Sequence, residues 1–254
     1  VFEIADTIAV LKDGENVVNI DDVHSVNQFD LVQYMVGREI KNIYPPIHTE
    51  IGETVLHVEG LSTNFVKDVS FELHQGEILG FAGLVGSGRT EICRALFGLD
   101  KITSGKITLR GNPYAPKKPK DAIDAGFGFV TEDRHYDGLI LDDSVERNIG
   151  YVGLDKLTRL GVISGKKSRQ VAQSFVESLR IATPHVEQEV VNLSGGNQQK
   201  VVLAKWLFIE PKIILFDEGT RGIDVNAKHE IYELLHKLVE NGHSIIMVSS
   251  ELPE

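Results

Sequence analysis

The sequence predicts an α/β fold with a parallel sheet at its core. Three features carry that expectation. Short apolar, strand-like runs alternate with helix-length amphipathic segments, the pattern by which strands and crossover helices build a parallel sheet. Glu77–Ala82 runs straight into a glycine-rich turn and then into a helical segment. Val55–Val58 and Val69–Leu73 instead alternate like half-covered strands, so a smaller antiparallel layer accompanies the core.

Each element has its own signal. Thr7–Leu11 and Asn16–Ile20 are strand-like, and Asp13-Gly14 between them is a hairpin turn. Asn27–Val36 is a short amphipathic helix with Leu31, Val32 and Met35 on one face and Gly37 as its stop. Residues 38–53 are polar, carry Pro45-Pro46 and read as a linker between a first unit, 1–37, and a second, 54–254. In the second unit Gly105–Leu109 joins the antiparallel layer. Glu77–Ala82 is a buried strand, Thr90–Phe97 is a helix closed by Gly98, and Phe127–Val130 is a strand. Ser144 onward and Ser168–Ile181 are helical, with Val171, Phe175 and Leu179 on one face. A further helix follows Ser194 and runs to about Phe208, so a largely helical region at 139–208 is inserted in the core. Lys212–Phe216 is an apolar strand ending in Asp217-Glu218. Ala227–Val239 is a helix that turns Ile231, Leu234, Leu235 and Leu238 inward, and Ile245–Val248 is the last strand.

Composition narrows the function classes. The chain is 42% hydrophobic and 25% charged over 254 residues, as in ordinary globular proteins. A formal net charge of −11 speaks against a nucleic-acid partner, which would need a basic face. Lys117, Lys118 and Lys120 form the one basic cluster noted, interrupted by Pro116 and Pro119, and read as a solvated loop. Cys93 alone allows no internal disulfide. No run approaches the length of a membrane-spanning helix. His229, His236 and His243 recur every seven residues, mostly on the polar side of a helix pattern, and are expected in solvent.

Three motifs carry chemistry. Gly83, Gly86, Ser87, Gly88, Arg89 and Thr90 have the spacing of a phosphate-binding loop, with arginine in place of lysine. The glycines let successive N–H groups face a phosphate, and the helix that follows adds positive potential. Thr90 is placed to hold Mg²⁺. Arginine changes the geometry, because a guanidinium is larger, planar and forked where an ammonium is a point charge. The bland reading is a glycine-rich turn. Leu193-Ser194-Gly195-Gly196-Asn197-Gln198 opens a helix with bare backbone N–H groups, which suits a second phosphate. The alternative is a serine-capped helix with packing glycines. Asp217-Glu218 ends a buried strand, where the aspartate can act on Mg²⁺ and the glutamate can orient or deprotonate water. The alternative is a charged strand end.

These motifs stand in the order found in the ATP-binding-cassette family, which the chain resembles from about residue 54 onward. The resemblance implies a P-loop NTPase fold of that type: a mixed sheet core, an antiparallel β layer and an inserted helical subdomain. It implies ATP sandwiched between one domain's P-loop and another domain's LSGG segment. Ser194, Gly195, Gly196 and Asn197 would then touch a phosphate held by the partner, Gln198 would support the loop, and Asp224 would lie at the dimer interface. Leu193–Val201, Glu132–Leu139, Asp217–Asp224 and Val248–Glu254 resemble the second domain of fused sugar-import ATPases. The implied partners are a first nucleotide-binding domain, a membrane permease and, indirectly, a periplasmic or extracellular sugar-binding protein. The implied location is peripheral, at the cytoplasmic face of the membrane. Residues 1–37 resemble the tail of a first domain, and residues 1–20 are expected beside strand Ile245–Val248, within the chain or between two copies.

Three positions depart from a complete cassette. Arg89 replaces lysine, Glu132 stands where glutamine usually contacts Mg²⁺ and water, and Ser250 stands where a histidine would touch the γ-phosphate. Glu132 can still ligate Mg²⁺. Gly219 replaces a usual proline, with an expected effect on loop stiffness only. Glu218 is kept. The site is therefore expected to bind ATP and hydrolyse it slowly, since charge stabilisation supplies much of phosphoryl-transfer catalysis. A non-hydrolysing nucleotide-binding module and a soluble non-transport ATPase of the same family are the other readings. Phe65 is a candidate for adenine stacking or for core packing.

Overall fold

The computed structural model describes residues 2–12, 14–36 and 50–251. The chain begins with an antiparallel hairpin of β1 (Ile8–Lys12) and β2 (Glu15–Ile20), followed by α1 (Gln28–Val36). Gly14 takes φ +84° in the turn, a value that glycine tolerates without strain. Its partner in the turn signal, Asp13, lies outside the described residues, as do Gly37 and residues 38–49 of the expected linker. Met35 is exposed, so the apolar face read for α1 is only partly covered.

The second unit opens with β3 (Thr54–Ser62) and β4 (Val69–His74), then β5 (Ile78–Ala82), α2 (Arg89–Leu96), β6 (Ser104–Leu109) and β7 (Asn112–Pro113). β3 sits inside an antiparallel sheet of order β4-β3-β6-β7. Period-two alternation sends Leu56, Val58 and Leu73 into the core. The opposite face puts His57 2.7 Å from Glu72 across the strands. The α3 helix (Pro119–Asp124) then leads to β8 (Phe127–Val130).

The helical region comprises α4 (Val145–Gly150), α5 (Leu154–Leu157), a small hairpin of β9 (Thr158–Arg159) and β10 (Val162–Ile163), α6 (Gly165–Ser178) and α7 (Gly195–Leu207). Ser164 caps α6, accepting from the Lys167 N–H at 3.4 Å. The helix therefore starts three residues before the expected Ser168 and ends at Ser178 rather than Ile181. The chain closes with β11 (Ile213–Asp217), α8 (Val225–Glu240) and β12 (Ser244–Ser249).

β5, β12, β11 and β8 form a wholly parallel sheet in that order. Phe127, Ile214, Leu215 and Phe216 are fully buried within it, each worth about 1.5–3 kcal/mol relative to exposure. β5 departs from expectation: it is half exposed, because it is an edge strand of this sheet. The expected docking of residues 1–20 on Ile245–Val248 also fails. β12 is hydrogen-bonded on both sides, to β5 and β11, and β1 and β2 pair only with each other among the described residues.

Two of the three histidines spaced by seven, His229 in α8 and His243 just after it, are not free in solvent. His229 is half-buried 3.4 Å from Glu233, and His243 Nδ1 lies 2.7 Å from the Pro211 carbonyl. The carboxyl ends of β5, β8, β11 and β12 all open at one edge of the parallel sheet, where α/β proteins bind ligands.

Candidate functional site

The turn between β5 and α2 is shaped by its glycines. Gly86 and Gly88 take φ +81° and +96°, where a side chain is strained. A Cβ on Gly88 would also fall 2.4 Å from Val66 Cγ1, and one on Gly83 2.7 Å from Ser87 Oγ. The Ser87 N–H donates to the Leu84 carbonyl at 3.0 Å. The chain thus folds back tightly before α2, whose N-terminus adds positive potential.

Arg89 opens α2 and reaches across the edge of the parallel sheet. Its guanidinium donates to the Ser249 carbonyl and lies 3.5 Å from Glu218 Oε1, with both side chains only 10% exposed. Ser250 Oγ donates to Glu218 Oε2 at 3.0 Å. Each oxygen of that carboxylate therefore has its own partner. Glu218 also has φ +48°, and its N–H donates to Val248 O at 3.0 Å. Position 218 is thus held from the neighbouring strand despite a backbone conformation unusual for a glutamate.

Beside it, Thr90 Oγ1 donates to Asp217 Oδ1 at 3.2 Å. Asp217 is fully buried and its Oδ2 has no partner. Burial pushes its carboxyl up to about 6, against the lowering effect of the Thr90 bond, with Glu132 and Glu218 pushing it up further. An orphaned buried carboxylate oxygen next to a hydroxyl is the donor set of a small hard cation. Thr90 and Asp217 therefore fit Mg²⁺. They line a cavity of about 340 Å³ together with Glu132, Asp133, Phe129 and Trp206. Glu132 itself is ion-paired with Arg221, so its charge is partly offset before any ligand arrives.

The second group of expected residues lies at the start of α7. Ser194 occupies the cap position without capping; its hydroxyl accepts from Asn197 Nδ2 at 2.8 Å. Asn197 Oδ1 in turn accepts from the Ala182 N–H at 2.8 Å. The first-turn amides thus lack a side-chain cap, and the serine-capped alternative does not hold. Asp224 caps α8, accepting from the Ala227 N–H at 2.9 Å. Ser194, Gly196, Asn197 and Asp224 line a cavity of about 250 Å³, separate from the one at Thr90 and Asp217.

Several contributors were not legible in the sequence. Arg134 joins three motifs: Nε donates to Gln198 Oε1 at 3.3 Å, one Nη to the Arg221 carbonyl at 3.0 Å and the other to the Gly222 carbonyl at 3.5 Å. His135 Nε2 is 2.9 Å from the same Gln198 oxygen. A Cβ on Gly195 would sit 2.9 Å from the Arg134 guanidinium, so that glycine makes room for the arginine. Gly219 is also needed for space, since a Cβ there would fall 2.4 Å from the buried Phe216 ring. The expected effect on loop stiffness alone is thereby corrected. Phe65 is 68% exposed, which removes the core-packing alternative, and it adjoins the Val66 that touches Gly88.

Comparison with known proteins agrees with this architecture. The ABC transporter family model matches residues 66–221, more than half of the chain. The chain is 49% identical over 255 residues to ribose import ATP-binding protein RbsA 3 of Rubrobacter xylanophilus, covering 100% of this chain and 51% of that protein. It is 47% identical over 254 residues to ribose import ATP-binding protein RbsA of Lactococcus lactis subsp. lactis, with 100% and 51% covered. The chain thus spans about half the length of the curated relatives it matches. Among solved structures, the ADP conformation of the ATP-binding cassette MJ1267 superposes with a TM-score of 0.66 at 19% identity, covering 78% and 82%. A dimeric post-hydrolysis state of the ATP-binding cassette MJ0796 bound to ADP and Pi gives 0.66 at 22% identity, covering 78% and 89%. These last two establish likeness of fold.

Proposed function

The chain belongs to the ABC transporter ATPase family, and from that premise we propose that it is one nucleotide-binding domain of a ribose-type sugar importer, with a slow ATP site of its own and an LSGG segment that serves a partner. The names of its relatives support ribose import. The observation that carries the division of labour is the Arg89–Glu218–Ser250 contact. A glutamate that orients or deprotonates the attacking water needs a free carboxylate oxygen. Here a guanidinium and a hydroxyl engage the two oxygens. Arg89 is also drawn toward Ser249 and Glu218, away from the role of a lysine lying between phosphates.

The rest of the site remains suited to binding. The glycine loop offers N–H groups to phosphates, and Phe65 offers an exposed ring for the adenine. Thr90 and Asp217, with Glu132 at the edge, would hold Mg²⁺, which would offset phosphate charge. The start of α7, with Ser194, Gly195, Gly196 and Asn197, presents uncapped N–H groups to a γ-phosphate held by a first nucleotide-binding domain. Asp224 borders the same contact, and Gln198 fixes the loop through Arg134. A permease carries the sugar and a binding protein delivers it. The attachment proposed is peripheral, at the cytoplasmic face; among the described residues no helix is long and apolar enough to cross a membrane.

Steady-state ATPase measurements on this chain test the reading. The wild-type chain should turn over little ATP. Arg89→Lys with Ser250→His, which frees Glu218, should raise turnover about 100-fold, the scale of restoring one preorganised contact, and adding Glu218→Gln should remove the gain. Brisk Mg²⁺-dependent turnover by the unmodified chain, lost on Glu218→Gln alone, would overturn it.

A further inference from the structure

The hairpin β9–β10 contributes to neither nucleotide cavity, and its chemistry is poorly suited to solvent. It turns through Leu160 and Gly161, between cross-strand partners Arg159 and Val162. Both turn residues have positive φ, +51° and +80°, the type I′ arrangement that favours asparagine and glycine. Leucine is strained there by its Cβ. Its side chain is 96% exposed, so no buried contact offsets the strain. Val162 and Ile163 are also exposed, at 70% and 53%. The base of the hairpin is firmly held. Leu157 is buried, the Ser164 N–H donates to the Leu157 carbonyl at 3.0 Å, and Lys167 Nζ donates to the Lys156 carbonyl at 2.6 Å. The apolar tip is therefore presented outward on a fixed stem.

The charge around the tip opposes that of the whole chain. Net charge is −11 overall, yet residues 154–169 carry Lys156, Arg159, Lys166, Lys167 and Arg169 against Asp155 alone. Lys156 is paired with Glu210 and Arg169 with Glu187. Arg159, Lys166 and Lys167 are exposed and make no ion pair among the described residues. Apolar side chains ringed by uncompensated cations match the boundary between lipid headgroups and acyl chains. At physiological salt, charges farther off than about 8 Å are screened, so the local excess decides the contact. A permease loop is a poorer match, because cytoplasmic loops of membrane proteins are rich in Lys and Arg. The carboxylates Glu132, Asp133 and Asp137 suit such loops better.

We infer that hairpin β9–β10 is a lipid-contact element: Leu160, Val162 and Ile163 enter the interface of an anionic bilayer while Arg159, Lys166 and Lys167 meet its headgroup phosphates. Co-sedimentation of the chain with phosphatidylglycerol/phosphatidylcholine vesicles, against phosphatidylcholine alone, tests this. The wild-type chain should sediment with the anionic vesicles only. Leu160→Asn suits the turn better than leucine, so it should keep or raise the thermal midpoint while cutting bound protein about tenfold, the loss expected from one buried leucine. Arg159→Glu with Lys166→Glu, which leaves the Lys167 contact at the stem intact, should abolish sedimentation and leave the circular dichroism spectrum unchanged. Equal sedimentation with both vesicle types or with neither, or wild-type binding by the folded Leu160→Asn variant, overturns the inference. Retention on polyglutamate without vesicle binding overturns it too, and assigns the hairpin to an acidic protein partner.

Discussion

Gly88, Gly196 and Gly219 lack a side chain for one shared reason: another group already fills the space. At Gly196 a Cβ would fall 2.4 Å from Ala227 Cβ, where the first turns of α7 and α8 abut. Gly196→Ala should therefore force the two helices apart and cost about 1–3 kcal/mol, measured as a lower urea midpoint at unchanged m-value. Gly165 in α6 is the contrast, with nothing within 4 Å of its hypothetical Cβ. Gly165→Ala should gain up to about 1 kcal/mol in the same measurement. At this scale the sequence reveals residue types and not their pairings. Arg89, Ser250 and Glu218 are each recognisable as departures or survivors in a motif. That they converge on one carboxylate depends on rotamers and on strands far apart in the chain. Arg134 lies inside the recognisable Glu132–Leu139 segment, but its role was not legible there, because its partners at Gln198, Arg221 and Gly222 obey no local spacing.

Among the elements, α4 depends on one buried side chain. Asn148, 1% exposed, accepts from the Ile140 N–H at 2.8 Å and donates to the Ile140 and Ser144 carbonyls at 2.9 and 3.0 Å. It ties the segment before α4 to the helix. The Ile140 and Ser144 carbonyls also accept from the Asp143 and Asn148 N–H groups, so Asn148→Ala strips the side-chain partner from the Ile140 N–H and should cost about 1–3 kcal/mol, with faster amide exchange at Ile140. Strands β8, β11 and β12 were readable to within about a residue, since continuous apolar runs of strand length have few other uses. The exposure of β5 is not legible, because such a run does not distinguish the edge of a sheet from its centre. Hairpin β9–β10 is not legible either: two-residue strands carry no periodicity, and Leu-Gly lacks the usual turn chemistry. The P-loop, the LSGG start and the Asp-Glu pair were legible because each needs a fixed local backbone, and the cavities between them were not.

The whole molecule also answers to pH. Burial, with Lys212 nearby, holds His243 below the ordinary histidine range, although its bond to the Pro211 carbonyl works the other way. Burial lowers His236 as well, against the opposing pull of Glu240. The folded protein thus keeps these rings neutral where the unfolded chain would take up protons. Their contribution to stability is complete above about pH 6.5 and is lost as the pH falls through the folded values. Asp217, raised to about 6, works in the opposite sense over this range, so the variant carries the test: on going from pH 7.5 to pH 5.5 in urea unfolding, His243→Gln should lose less stability, or gain more, than the wild-type chain. The proposed nucleotide chemistry is divided at this scale too, between one cavity at the sheet edge and another at the start of α7. The contact at Glu218 also has a graded consequence. Replacing Arg89 alone leaves the serine on one oxygen and frees the other, and replacing Ser250 alone leaves the guanidinium and frees the oxygen the serine held. Under the proposed function, either single change should therefore recover part of the turnover that the double change restores.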